Sequence, residues 1–461
     1  MSTYDPKQLA AWSHGHWDSQ PPPRLTGVTQ DSRQLTPGAL YIALRGPRHD
    51  GHQFVAQAFT AGAGAVLIES AYRGACPGPA LRVADTHQAL WALAAGQRRT
   101  FTGRCVGITG SVGKTTVKEL MAALFSAGGP VAKSPGNWNN DIGLPLSLLN
   151  ADPAAWTGLF ELGINHPGEM APLAKLLQPD WALITDIGPS HIEFFPSETA
   201  IAEEKAELFR ALRPRDSLAC FAADSPYGEL LAAAAPGPTL TIALDDTPAD
   251  LQGRVAPDGQ TLHITERGGA TAPWACPLPL PGRHTARNLL YAVALARAGG
   301  LEPAALREAL RHFKPVGPRW QVVEHQGLTL INDAYNANPL SMRAALEACA
   351  ETYAAHRPCW LVLGDMLELG SHAPRAHLAL GELVATGPWQ GLVTVGPFAR
   401  QIAAGARAGG FPADQISECA TAADAGRLLR HRLPANAVAL FKASRALQLE
   451  TALDFITTPN P

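Results

Sequence analysis

One stretch limits the folds open to this chain more than any other: Cys105-Val106-Gly107-Ile108-Thr109-Gly110-Ser111-Val112-Gly113-Lys114-Thr115-Thr116, followed by Val117, Leu120, Met121, Leu124 and Phe125. The β-branched run before the glycines suits a buried strand, and the apolar positions after them recur at the spacing of one helix face. The stretch therefore reads strand, glycine loop, helix. An anion belongs at that junction. Glycines let backbone N–H groups converge on a phosphate at a helix N-terminus, Lys114 adds a mobile positive charge, and the Thr115 hydroxyl suits the shell of a Mg²⁺ ion. The usual phosphate loop has glycine five residues before Gly113, where this chain has Ile108 and carries its extra glycine at Gly110. The spacing is not G-x-G-x-x-G, which disfavours a dinucleotide fold. A glycine-rich turn beside a solvated lysine is the plainer alternative, and a strand and helix both in register argue against it.

At 461 residues the chain predicts about three domains of roughly 150 residues each. Hydrophobic residues make up 46% and charged ones 17%, with a net charge of −3, which leaves no basic surface for nucleic acid and points to small-molecule partners. None of the seven cysteines has C-x-x-C spacing, so neither a zinc site nor a disulfide framework is indicated and a reducing cytoplasm is expected. The opening Met1-Ser2-Thr3-Tyr4-Asp5-Pro6 lacks the basic and apolar regions of a secretion leader, and no apolar run approaches about 18 residues. A soluble protein without membrane insertion is the expectation.

Residues 1–100 read as a small α/β unit with strands at 39–44 and 65–68 and a helix through 54–59. In it, Ser32 and Arg33 suit an anionic group, Arg being fitted to bidentate phosphate contacts, although a turn with a solvated arginine is the simpler reading. Residues 101–313 alternate strand and helix signals, which argues for a parallel sheet with helices on its faces. Two apolar strands there run into Glu161 and Asp186, with His191 following, and ligands in such sheets gather at strand C-termini. Glu161 reads as a Mg²⁺ oxygen ligand or, equally, as a strand-end cap. The helix containing Glu203, Glu204, Lys205 and Glu207 reads as a charged, solvated face. Asn288, near the start of an apolar helix, is either a cap or an amide able to read adenine. After the linker-like Lys314–Arg319, residues 314–461 form a third α/β unit, in which Asn338 and Pro339 begin a helix burying Met342, Ala345, Leu346 and Cys349.

The pieces Thr109-Gly110-Ser111-Val112-Gly113-Lys114-Thr115-Thr116, Glu161-Leu162-Gly163, Glu204-Lys205-Ala206-Glu207, Pro281-Gly282-Arg283-His284 with Asn288, and Asp333-Ala334-Tyr335-Asn336-Ala337-Asn338-Pro339 together resemble the Mur ligase family in order and spacing. The similarity spans nearly the whole chain. Tyr335-Asn336-Ala337-Asn338-Pro339 with Ser341-Met342, Leu363-Gly364-Asp365-Met366-Leu367-Glu368-Leu369-Gly370, Asp31-Ser32-Arg33 and Asp50-Gly51-His52 resemble the branch that takes a dipeptide amine. The resemblance implies a central phosphate-loop parallel-sheet ATPase domain (101–313), an N-terminal nucleotide-sugar-binding α/β domain (1–100) and a C-terminal Rossmann-like α/β ligase domain (314–461). It implies an ATP-dependent amide ligase working through an acyl phosphate, with ATP and Mg²⁺ as cofactors. The partners it implies are UDP-N-acetylmuramoyl-tripeptide and D-alanyl-D-alanine, in a cytoplasmic monomer.

Carried over residue by residue, the resemblance gives Lys114, Glu161, His191 and Lys205 as the catalytic set. Lys114 would hold the β- and γ-phosphates, and Thr109, Gly110, Ser111, Val112, Gly113, Thr115 and Thr116 would line the loop. Thr115, Glu161 and His191 would hold metal, as would Lys205, which resembles a lysine that CO₂ carbamylates. Asn288 would face adenine, Asp333 the ribose, and Arg319 a phosphate from the third domain, while Ser32 and Arg33 would hold the uridine diphosphate. Two positions depart from the pattern: Thr285 stands where relatives carry Asn, and Ala443 in Lys442-Ala443-Ser444-Arg445 stands where they carry Gly. A Cβ at 443 excludes a left-handed backbone or a close approach, so those four residues are assigned no catalytic role. Trp138 is expected to pack.

Overall fold

The computed structural model describes residues 2–46, 49–268 and 272–458. Five strands form the first large sheet: β1 (His16–Trp17), β2 (Val28–Thr29), β3 (Leu40–Ile42), β4 (Ala65–Glu69) and β5 (Ala80–Val83), in the order β1-β5-β4-β3-β2. Every pair is parallel except β1–β5. Leu40, Tyr41, Ile42 and the run Ala65 to Ile68 are all buried, as parallel strands covered on both faces must be. Helix α1 (Thr86–Thr100) starts where Asp85 accepts from the Gln88 N–H at 2.8 Å, and it packs against the helix Gly143–Asn150. The Asn150 side chain accepts from the Val28 N–H at 3.0 Å and donates to the Val28 carbonyl at 2.9 Å, fastening this sheet to the next.

The second sheet comprises β6 (Arg104–Thr109), β7 (Val131–Lys133), β8 (Thr157–Glu161), β9 (Trp181–Ile184), β10 (Leu218–Ala222), β11 (Thr239–Leu244), β12 (Leu251–Val255), β13 (Thr261–Glu266) and β14 (Trp274–Pro277). Its order is β14-β13-β12-β11-β10-β9-β6-β8-β7, parallel from β12 to β7. The chain fills one side of β6, then crosses to the other, so β6 ends at the switch point where such sheets bind ligands. Helix α2 (Lys114–Phe125) lies behind it and buries Val117, Leu120, Met121, Leu124 and Phe125 completely. Helices α3 (Glu198–Arg210) and α4 (Arg283–Ala298) also cover this sheet. The far edge departs from strand–helix alternation, because β12, β13 and β14 are an antiparallel meander. Its turn holds Asp258, which accepts from the Gln260 N–H, and Gly259 at φ 66°, an Asp-Gly signal between alternating strands.

The third sheet has β15 (Gln321–His325), β16 (Leu328–Asn332), β17 (Cys359–Gly364), β18 (Gly391–Val395), β19 (Ile416–Cys419) and β20 (Val438–Lys442), ordered β15-β16-β20-β17-β18-β19. All pairs are parallel except the β15–β16 hairpin, which turns on Gln326 and Gly327 at φ 48° and 83°. Helix α5 (Pro339–Tyr353) opens with a reciprocal capping box between Asn338 and Ser341, and buries the expected Met342, Ala345, Leu346 and Cys349. Ala443 is buried with φ outside the left-handed region, and a Cβ added to Gly364 would come within 2.7 Å of the Ala443 methyl. The methyl at 443 thus fills space that Gly364 leaves open.

Candidate active site

A cavity of about 1150 Å³ opens where the C-terminal ends of β6, β8 and β9 face the third sheet. Register places Glu161 beside Ile108 and Ile184 beside Thr109, so the strand-end residues and the glycine loop share one rim. Gly110 and Gly113 have φ of 148° and 84°. A Cβ on Gly110 would lie 1.8 Å from Thr185 Oγ1, and one on Gly113 would lie 2.4 Å from Asn288 Oδ1. Only glycine lets the loop pass this closely. The Ser111 hydroxyl donates to the Gly188 carbonyl at 2.9 Å, and the Thr185 hydroxyl donates to the Val112 carbonyl at 2.5 Å, which fix the loop to the segment after β9. Lys114 Nζ donates to the Gly110 carbonyl at 2.7 Å, curling over the loop at the N-terminus of α2. Burial lowers the Lys114 pKa, with nearby Glu161 opposing that shift.

Glu161 is the hub beneath the loop. Its Oε2 accepts from the Thr115 hydroxyl at 2.8 Å, and its Oε1 accepts from Asn139 Nδ2 at 2.9 Å. Lys118 Nζ, fully buried, lies 3.7 Å from Glu161 and donates to the carbonyls of Ser134 and Gly136 at 2.8 and 2.6 Å. A bare strand-end cap needs none of this. Two oxygens of different residues, the Thr115 hydroxyl and the Glu161 carboxylate, meet at hydrogen-bond distance in the cavity wall, a donor chemistry that fits Mg²⁺. Among the described residues no cluster of three or more His, Cys, Asp or Glu side chains is placed to hold a metal, so other oxygens must complete such a shell.

The third sheet supplies the opposite wall. Arg319 Nη2 donates to Thr115 Oγ1 at 3.1 Å, and its guanidinium lies 3.8 Å over the Tyr335 ring. Asp333 accepts from Lys442 Nζ at 2.5 Å and from the Trp320 N–H at 3.2 Å. Asn288 and Thr116 line the cavity, as does His191, whose Nδ1 is 2.7 Å from Glu368 Oε2 of the third sheet's β17–α loop. Trp138 both packs against the core and lines the cavity.

Lys205, Ser32 and Arg33 stand apart from this cavity lining. Lys205 is 2% exposed on the inner face of α3, which overturns the reading of that helix as a solvated stripe there. No hydrogen bond or ion pair engages its amine among the described residues, and burial first, then the Lys114 charge, pushes its pKa well down. Ser32 is buried, whereas Arg33 is 80% exposed and folded back on Asp31 through bonds of 2.9 Å from both Nε and Nη2.

Three domain types match consecutive parts of the chain. The "Mur ligase family, catalytic domain" matches residues 24–98, the "Mur ligase middle domain" 108–296, and the "Mur ligase, glutamate ligase domain" 318–445. The chain belongs to the Mur ligase family. A UDP-N-acetylmuramoyl-tripeptide–D-alanyl-D-alanine ligase of Treponema pallidum is 38% identical over 80% of this chain and 81% of its own. The solved MurF of Acinetobacter baumannii superposes with a TM-score of 0.87 at 29% identity over 99% of each chain. MurF ligase of Thermotoga maritima, solved in complex with ADP, gives 0.79 at 26% identity over 94% of this chain and 97% of that one. The fold is thus the three-domain Mur ligase fold, and the protein is an ATP-dependent ligase.

Sequence reasoning passed over several groups that this Mur ligase brings to the cavity. Asn139 and Lys118 were not singled out, although both bear on Glu161. Lys442 was set aside with Ala443, yet it is buried and its ammonium holds Asp333. Asp224 and Arg287 form a two-bond pair of 2.8 and 2.6 Å on the rim, from which Arg287 also reaches Asp186 at 3.4 Å. The signal for these was position: each follows a parallel strand's C-terminal end or sits on a helix at the switch point.

His284 lines the cavity too, and burial lowers its pKa to about 4. The native state therefore binds no proton there until about pH 4, whereas the unfolded chain binds one near its ordinary pKa of about 6.5. Stability should fall as the pH drops from about 6.5 toward 4 and be flat above 7, with a loss of at most about 2 kcal/mol by pH 5 from this residue. Urea unfolding at pH 7.5 and 5.0 checks it; His284→Gln should show the shallower dependence.

Proposed function

We infer that this Mur ligase joins D-alanyl-D-alanine to the terminal carboxyl group of a UDP-N-acetylmuramoyl-tripeptide in peptidoglycan precursor synthesis. The observation that carries the reading is the Arg319–Thr115 bond, which closes one cavity between a phosphate loop and the Tyr335-Asn336 loop of another sheet. A carboxylate is a poor electrophile. Its oxygen attacks the γ-phosphorus of ATP, ADP leaves, and the resulting acyl phosphate carries a good leaving group. The dipeptide amine then attacks the carbonyl carbon, loses a proton, and the tetrahedral adduct expels phosphate as the amide forms.

The residues suit this sequence of charges. Lys114 holds the β- and γ-phosphates at the N-terminus of α2, and Arg319 offers a second cation from the facing domain. Thr115 and Glu161 hold Mg²⁺, with His191 beside them; the ion, when bound, draws negative charge off the γ-phosphate. Lys205, buried and with its pKa lowered by that burial, is the amine that, once neutral, would add to CO₂, releasing a proton and leaving a carbamate that would support a second metal. Asn288, packed on Gly113, faces adenine, and Asp333, fixed by Lys442, takes the ribose hydroxyls. Ser32 and Arg33 hold the uridine diphosphate, for which Arg33 must leave Asp31. All seven cysteines are free, as a reducing cytoplasm allows, and no helix among the described residues is long and apolar enough to cross a membrane.

The acyl phosphate is tested with tripeptide labelled with ¹⁸O in the reacting carboxyl group: one label should appear in the released phosphate, and unlabelled phosphate would overturn the route. Arg319→Lys keeps the charge but loses both the planar stack on Tyr335 and the reach to Thr115. It should lower kcat by about tenfold or more, measured as phosphate release.

A further inference from the structure

The segment Leu363-Gly364-Asp365-Met366-Leu367-Glu368-Leu369-Gly370 has no part in the chemistry described so far, yet it touches the site at one point. His191 Nδ1 and Glu368 Oε2 are 2.7 Å apart, across the junction between the second and third sheets. Both residues sit in the left-handed region, His191 at φ 57° and Glu368 at φ 62°, a conformation that residues with a Cβ adopt only when their surroundings hold them there. The Glu193 N–H donates to the Glu368 carbonyl at 3.5 Å. A Cβ on Gly370 would lie 2.6 Å from Glu193 Cβ, so this glycine lets the two loops close on one another.

We propose that Glu368 is a positioning residue for the ligation: from the third sheet its carboxylate pairs with the His191 imidazole at Nδ1 and so fixes where the ring stands in the cavity wall. A histidine presented to a metal or phosphate site is set by the partner of its other ring nitrogen. Here that partner belongs to a different domain from the histidine. The orientation of His191 therefore exists only while the third sheet is seated on the phosphate loop, which makes Glu368, together with Arg319, a sensor of that seating. The inference rests on reading the cavity as the ligation site.

The test is a double-mutant cycle in the full-length enzyme with Glu368→Ala, Glu368→Gln and His191→Asn, read both as steady-state kinetics and as amide hydrogen exchange over residues 188–195. Glu368→Ala should lower kcat at least tenfold with KM for ATP changed less than about twofold, and His191→Asn should do likewise. The double variant should be no worse than the poorer single one. Glu368→Gln, which keeps the side chain's length but not the charge paired with the imidazole, should lose part of the rate, less than Glu368→Ala does. Exchange over 188–195 should quicken in Glu368→Ala and stay near wild type in Glu368→Gln. Wild-type kinetics and exchange in Glu368→Ala, or losses that multiply in the double variant, would overturn the proposal. Should Glu368→Ala fail to fold, the cycle is read with Glu368→Gln, where multiplying losses again overturn it. Should the wild-type enzyme itself release no phosphate with the two substrates, the ligase reading fails, and the exchange comparison alone decides whether Glu368 holds the His191 loop.

Discussion

Lys114→Ala should leave the fold intact and reduce turnover by about 10³-fold or more, equivalent to about 4 kcal/mol of transition-state stabilisation. The folded protein asks little of this side chain, whose ammonium makes one bond, to the Gly110 carbonyl at 2.7 Å. That carbonyl belongs to the same loop and can turn to water. Chemistry asks much more. The carboxylate and the γ-phosphate are both anions, and charge accumulates on the phosphoryl oxygens as ADP departs, directly where Lys114 and the α2 N-terminus point. The variant's urea midpoint should match wild type, so that the loss in kcat is read as chemistry. Turnover within tenfold of wild type would remove Lys114 from the phosphate site.

Lys118→Met should have the opposite signature, unfolding the enzyme before it informs on catalysis. The Lys118 ammonium is fully buried, 3.4 Å from Glu119 and 3.7 Å from Glu161, and it satisfies two carbonyls of the 134–136 loop. Burial lowers its pKa, and the two carboxylates oppose that shift. Methionine fills the stem's volume but leaves Glu161 in the interior without its cation, while Glu119 keeps Lys133. Removing one member of a buried ion pair costs about 3–5 kcal/mol. Urea unfolding should show a loss of that size, and adding Glu161→Gln should recover part of it, since the uncompensated carboxylate is then gone. A loss under about 1 kcal/mol, or no recovery in the double variant, would show that Lys118 is not what balances Glu161.

The glycine loop and the α2 stripe were legible because both are local: φ restrictions and a 3.6-residue period are written in consecutive residues. Asn338, Pro339 and the α5 stripe were legible for the same reason. The β12–β14 meander and the β15–β16 hairpin were not, because their strands are partly polar and no helix separates them; only Asp258-Gly259 and Gln326-Gly327 marked them. The site was legible where one strand end carried it, as with Glu161. It was illegible where partners come from distant elements: Lys118 to Glu161, Lys442 to Asp333 and Glu368 to His191 are pairings of register and domain seating, which periodicity does not encode. Lys205 shows the converse error, a charge in a charged stretch whose burial depends on which helix face meets the sheet.

The central claim is that one cavity, walled by two domains, couples ATP to a carboxylate and an amine. Phosphate release from ATP with UDP-N-acetylmuramoyl-tripeptide, comparing D-alanyl-D-alanine with single amino acids as the amine, tests it most directly. Release should require the tripeptide and rise to full turnover only with the dipeptide. Release that ignores both substrates, or that is equal with any amino acid, would contradict the ligase reading of the cavity.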